Sequence, residues 1–165
     1  MTPPFALRPA TQADTAAVLR LIRALADYER LSHEVTATET DLHATLFGSH
    51  PRAHAVLAEI NGSPVGVALF YYTLSTFKLR PNIFLEDLFV EPEHRGRGIG
   101  RAFMRHLAQR AVAESCGRLE WRVLNWNQPS IDFYRHIGSQ PIADWQTWQL
   151  SGGALAALAE GPPHG

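Results

Sequence analysis

Val18, Leu19, Ile22, Leu25 and Tyr28 recur at three- and four-residue steps, the spacing of one helix face. Thr11-x-x-Asp14 stands before them like a capping box, with aspartate in the usual glutamate position. The pattern predicts an amphipathic helix to about Arg30, preceded by a short strand from Phe5 to Arg8 that Pro9 breaks. A second box, Thr36-x-x-Glu39, predicts a shorter helix through Leu42 and Leu46, stopped by Gly48-Ser49-His50-Pro51.

The period then changes. Ala53 to Ile60, Val65 to Thr73 and Ile83 to Val90 are rich in Val, Ile, Leu, Phe and Tyr and predict three strands. Asn61-Gly62 is a hairpin signal between the first two, because both residues tolerate positive φ. Leu74 to Asn82, with Lys78, Arg80 and Pro81, reads as a loop. Helical spacing returns after Gly98 in Ile99, Phe103, Met104, Leu107, Ala111 and Val112, and Gly117 stands where a helix-terminating glycine belongs. Leu119, Trp121 and Val123 alternate as a half-buried strand. Gln128 to His136, with an early Pro129, predicts a short helix closed by Gly138. Trp145 to Leu150 reads as a last strand, and the Ala/Gly/Pro-rich tail at about 151–165 as mobile. The order β-α-α-β-β-β-α-β-α-β in 165 residues predicts one α/β (α+β) domain, helices flanking a central sheet.

Composition narrows the partners. The formal net charge is -1, so the basic excess of a nucleic-acid binder is missing. No apolar run approaches the ~20 residues that span a bilayer. The start lacks a signal-peptide pattern, and Cys116 is the only cysteine; a cytoplasmic, reduced protein is expected. His43, His50 and His54 lack cysteine partners and lie across a loop, so no metal site is expected.

The candidate chemistry begins at Arg95-Gly96-Arg97-Gly98-Ile99-Gly100-Arg101, between a strand and a helix. A helix N-terminus offers unpaired N–H groups and partial positive charge, and glycines let a ligand come close. A diphosphate fits. A P-loop would require Gly-Lys-Ser/Thr, and a dinucleotide fingerprint would require Gly-x-Gly-x-x-Gly; neither is present, although Glu120 falls near the position of the latter's acid. A turn that merely caps a helix is the plainer alternative, and the three flanking arginines speak against it.

With Leu7-Arg8-Pro9-Ala10-Thr11, Leu25-Ala26-Asp27-Tyr28-Glu29, Leu85-Glu86-Asp87-Leu88-Phe89-Val90 and the run from Trp126 to Tyr134, the glycine loop resembles the GNAT N-acetyltransferases, within them the diamine (spermidine/spermine and thialysine) acetyltransferases. The resemblance spans nearly the whole chain. It implies a mixed, mostly antiparallel sheet, acetyl-CoA as co-substrate, and a homodimer in which the strand around Trp145 to Leu150 joins across a two-fold axis. It also implies that Leu88, Phe89 and Val90 meet the acyl-pantetheine arm, that amides from Arg95 through Arg101 hold the diphosphate, and that Asn127 and Ser130 contact the coenzyme. Tyr134 would be the general acid, Glu86 the base, through water, and Tyr28 and Glu29 would line the amine site.

Acetyl transfer to an amine requires a neutral nucleophile, a stabilised oxyanion and a proton for the leaving thiolate. Glu86 sits within an apolar strand, where desolvation favours a base of raised pKa. Strand alternation puts neighbouring Asp87 on the opposite face, so only one of them faces the cleft. The residues alone leave the choice even, and the resemblance favours Glu86. Spermine-type members carry Asp-Pro-Trp in a loop that here reads Ser75-Thr76-Phe77-Lys78-Leu79-Arg80-Pro81. The acid is gone and two cations are added, which points to a thialysine- or lysine-like amino acid over a polyamine. A coenzyme A sensor without turnover and a nicotinamide-dependent oxidoreductase are the alternative classes.

Overall fold

The computed structural model describes residues 4–161. Two compact units divide the chain, Met1–Leu124 and Asn125–Gly165.

The first unit carries the sheet. Strands β1 (Phe5–Pro9), β2 (His54–Ile60), β3 (Ser63–Ser75), β4 (Arg80–Val90) and β5 (Leu119–Trp121) lie in the order β1-β2-β3-β4-β5. The first three pairings are antiparallel and β4 with β5 is parallel, so the sheet is mixed and mostly antiparallel. Asn61 and Gly62 make the β2–β3 turn at φ 52° and 78°. Helices α1 (Thr15–Tyr28) and α2 (Glu39–Phe47) cover one face. Their Val18, Leu19, Leu21, Leu42 and Leu46 bury against Leu57, Val67, Leu69 and Phe89 in an apolar core cluster. The other helix of this unit, α3 (Ile99–Ala113), buries Ile99, Phe103, Met104, Leu107 and Ala111. A Cβ on Gly66 would stand 2.9 Å from the Phe89 carbonyl oxygen and 3.2 Å from the Phe103 ring, so glycine lets that ring approach the sheet.

Several boundaries differ from the sequence pattern. The Thr11–Asp14 box forms, but it opens a 3-10 turn, Gln12–Asp14, that leads into α1. Thr38 and Asp41, not Thr36 and Glu39, cap α2: the Asp41 N–H donates to Thr38 Oγ1 at 3.2 Å, and the Thr38 N–H to Asp41 Oδ2 at 2.9 Å. The supposed loop from Leu74 to Asn82 shrinks to a turn at 76–79, because Leu74 pairs with Pro81 and Thr73 with Asn82. Past α3 the left-handed position falls on Ser115, at φ 56°. Gly117 answers a different demand, since a Cβ there would stand 2.9 Å from buried Asn82 Oδ1. The strand expected to reach Val123 ends at Trp121.

The second unit contains α4 (Gln128–His136) and α5 (Gly152–Ala159). Trp145 to Leu150 is not a strand. Alternation says which face a strand would bury, but a strand also needs a neighbour for its N–H and C=O groups, and here Trp145 and Trp148 are 77% and 87% exposed. The tail is helical as α5, its alanines and leucines being strong helix formers; its last residues, 162–165, lie outside the described residues.

Candidate active site

β4 changes register halfway along. Leu69 of β3 faces Asp87, but the next residue, Phe70, faces Leu85. Glu86 is therefore the extra residue of a β-bulge. Tyr71 faces Phe84, and Leu69 and Tyr71 point to the same side of β3. Phe84 and Glu86 thus share a face with Asp87 and Phe89, the face covered by α1 and α2. The expectation that only one of the two carboxylates can face the cleft fails, because the bulge interrupts the alternation on which it rested.

The environments of the two acids differ. Glu86 is exposed and accepts from the Tyr71 hydroxyl at 3.0 Å and from Arg122 Nη2 at 3.3 Å. Tyr71 stacks on Phe84 at 5.3 Å, and the Arg122 guanidinium carbon sits 5.4 Å from the Phe84 ring centroid. Asp87 is half-buried. Burial pushes its carboxyl up to about 6, and the charges of Glu86 and Glu29 push in the same direction. Glu29 is also raised, by burial. It is the C-cap of α1, where the helix dipole disfavours an anion. Asp87 and Glu29 are therefore held against local electrostatic preference, with Glu86 beside Asp87, a pattern typical of functional sites.

Sequence reasoning missed Tyr71 and Arg122. Both reach Glu86 from neighbouring strands or their ends, and only register brings them there.

β4 also has an open edge. Its pairing with β5 covers Ile83, Phe84 and Leu85 and stops at Trp121. The Glu91 N–H turns inward to Val65 on β3, at 2.9 Å, so alternation sends the N–H groups of Val90 and Leu88 to the opposite, unpaired edge. The Val90 carbonyl accepts from Arg95 Nε at 2.9 Å.

The glycine loop leaves the end of β4 through a 3-10 turn, Pro92–His94. Gly96 and Gly98 take φ of 75° and 82°, and a Cβ on either would meet nothing within 4 Å. These glycines answer to backbone conformation and leave the loop uncovered. The first bond of α3 runs from the Ala102 N–H to the Gly98 carbonyl, 2.9 Å, so the amides of Ile99, Gly100 and Arg101 precede the helical ladder. Amides that precede the ladder at a helix start fit a diphosphate. Arg97 and Arg101 are exposed. The Arg95 guanidinium instead lies 4.8 Å from the Tyr28 ring centroid and 5.6 Å from that of Phe89, tying the loop to the end of α1. Glu91 pairs with Arg20. With Glu93 and His94 it brings three possible metal-ligand atoms within 4.8 Å of one another, but that ion pair already engages it.

In the second unit, Asn127 is buried and caps α4, its Oδ1 accepting from the Ser130 N–H at 3.3 Å. Tyr134 is half-buried, one turn beyond Ser130 on the same helical face. Its ring lies 5.3 Å from that of Phe133.

Known proteins resemble the chain in sequence and in fold. The acetyltransferase (GNAT) family profile matches residues 18–138. The thialysine N-epsilon-acetyltransferase of Bos taurus is 39% identical over 164 residues, covering 93% of this chain and 96% of that protein. An L-ornithine N5-acetyltransferase of Arabidopsis thaliana is 28% identical, covering 92% and 86%. An integron cassette protein from V. cholerae superposes with a TM-score of 0.81 at 26% identity, covering 95% and 98%. Among the described residues, no helix is long and apolar enough to cross a membrane.

Proposed function

The chain belongs to the GNAT acetyltransferase family and is an N-acetyltransferase, and from that premise we propose that it acetylates the side-chain amine of a thialysine- or lysine-like amino acid. The observation that carries the reading is the carboxylate group of Glu29, Glu86 and Asp87 on the α1 side of the sheet, with Asp87 raised to about 6. Such a group attracts an ammonium and takes its proton. The amino-acid acceptors in the names of two relatives are consistent with this class.

Members of the family use acetyl-CoA, which supplies an activated acetyl thioester when bound. The amides from Arg95 through Arg101 hold its diphosphate, and Arg97 and Arg101 add charge. The open-edge groups of Leu88 and Val90 lie along its arm, with their N–H groups able to stabilise negative charge on the acyl oxygen, while the N–H and C=O of Phe89 between them turn to β3. Asn127 and Ser130 serve the coenzyme from the start of α4.

The substrate ammonium loses its proton to the Glu86–Asp87 pair, and Asp87 has the environment better suited to a base near neutral pH. Glu86, held by Tyr71 and Arg122, positions the ammonium and any water between. Tyr28 and Glu29 line the amine site. Tyr134 keeps a phenolic proton for the departing sulfur. The chain acts as a single catalytic domain, a reading supported by a family match that runs across the Leu124–Asn125 division. It works in the cytoplasm as a homodimer, and the exposed Trp145 and Trp148 support a covering second copy.

The test is acetyl-CoA-dependent thiol release with thialysine, lysine, ornithine, putrescine, spermidine and an aminoglycoside. Faster release with the amino acids is expected. Faster turnover of spermidine than of every amino acid would overturn the acceptor assignment. Tight acetyl-CoA binding with no release for any amine would favour a sensor.

A further inference from the structure

Arg122 is a cation placed among acids that would gather a cationic substrate. It directly follows Trp121, which pairs with Leu85, so it emerges level with the bulge. The guanidinium is set by the Phe84 ring at 5.4 Å and by Glu86, to which Nη2 alone makes both contacts, at 3.3 and 3.5 Å. Nε and Nη1 take no part in that pair. The side chains of Arg122 and Glu86 are 64% and 38% exposed, and an exposed ion pair of this kind is weak and easily shared. For an acceptor bearing only ammonium groups, Arg122 is a like charge beside the binding acids and a penalty. For an acceptor that also carries a carboxylate, it is a planar fork of N–H donors that matches the carboxylate's two oxygens.

We propose that Arg122 is a specificity residue that binds the α-carboxylate of an amino-acid acceptor while the Glu29–Glu86–Asp87 group takes the side-chain ammonium. The proposal rests on the acetyltransferase reading above and adds the feature by which the site separates amino acids from diamines. Tyr71 stacks on Phe84 at 5.3 Å and so braces the ring beside which the guanidinium sits.

The test compares wild type, Arg122→Ala and Arg122→Lys on matched acceptors: lysine with cadaverine, ornithine with putrescine, and lysine with its methyl ester, which keeps the shape and removes the negative charge. In Arg122→Ala, KM for the free amino acids is expected to rise at least tenfold more than KM for the diamines or the ester. Arg122→Lys should fall between, because it restores charge without the fork. Equal losses on both classes, mainly in kcat, would make Arg122 only a positioning residue for Glu86 and overturn the proposal. Unchanged kinetics on both would overturn it as well. If wild type acetylates none of these amines, the activity fails instead. Calorimetric binding of lysine and its methyl ester to wild type and Arg122→Ala then decides the role of Arg122 by itself: loss of a preference for the free acid supports it, and no preference in wild type refutes it.

Discussion

Asp87→Asn should make the protein more stable at neutral pH while damaging its activity. The folded state holds the Asp87 carboxyl at about 6 against an ordinary 3.8. That difference is about 2 pH units, each worth ~1.36 kcal/mol, so an ionised Asp87 costs the folded state about 3 kcal/mol at most. The sign follows from proton counting. Between the two values the folded state binds the proton and the unfolded state does not, so the contribution of Asp87 to stability falls as pH rises from about 4 through 6. Asparagine keeps the shape and removes the charge. Urea unfolding of both proteins in steps from pH 4 to pH 8 measures the difference directly. The variant should match wild type near pH 4 and exceed it by up to about 3 kcal/mol above pH 7, or about 6–12 °C in Tm for a domain of this size. Glu29→Gln should move the wild-type transition to lower pH, since the Glu29 charge helps to raise Asp87. An advantage that is constant across pH, or a variant less stable than wild type at pH 8, would refute the reasoning.

Tyr134→Phe should lower kcat at least tenfold and leave acetyl-CoA affinity nearly unchanged, as a residue acting only in the transition state requires; equal turnover would remove it from the mechanism. Gly98→Ala forces a side chain to φ 82° and should cost about 1–2 kcal/mol of stability, with weaker acetyl-CoA binding by calorimetry. Asp14 accepts two bonds from Arg8, at 2.7 and 2.8 Å, which hold its carboxyl well below the usual range. Asp14→Asn should therefore cost about 2 kcal/mol at pH 7, discounted for the partly exposed Arg8, and the gap should close as pH falls below about 4. If a second copy covers the exposed tryptophans, Trp145→Ala with Trp148→Ala should shift the mass in light scattering from dimer to monomer.

The five-stranded sheet, helices α1 to α4 and the glycine loop are legible in the sequence because each leaves a local mark: a period, a cap, a turn dipeptide; α5, in a tail that reads as mobile, is not. Asn61-Gly62 and the apolar stripe from Ile99 to Ala111 read as they stand, whereas Val112, included in the same stripe, is 81% exposed. The misreadings fall where the deciding contact is distant. Trp145 to Leu150 alternates like a strand, but no residue spacing reveals whether an edge is available to pair with it. The loop from Leu74 to Asn82 looked irregular because its Lys, Arg and Pro are poor strand residues, yet pairing with β3 carries β4 back to Arg80. The acids were found one at a time, as Glu29, Glu86 and Asp87. Their assembly, and the presence of Tyr71 and Arg122 beside them, follows from cross-strand register, which a single chain of letters does not contain.

The bulge links the two halves of the proposed chemistry. At Leu85 the pairing with β5 ends, and one residue later the pairing with β3 slips. A regular β4 would send one of Glu86 and Asp87 toward α3, and a longer β5 would cover the edge through Val90. Each event alone gives half a site: an open edge without paired acids, or paired acids beside a closed edge. Coming within two residues of each other on one strand, they place the proposed acyl-binding edge and the proposed proton-accepting face on the same backbone. A strand in a packed sheet is among the stiffer parts of a protein, so the spacing between those two surfaces is fixed before either substrate arrives. Such fixed spacing lets binding energy go into bringing amine and thioester together instead of into ordering the protein.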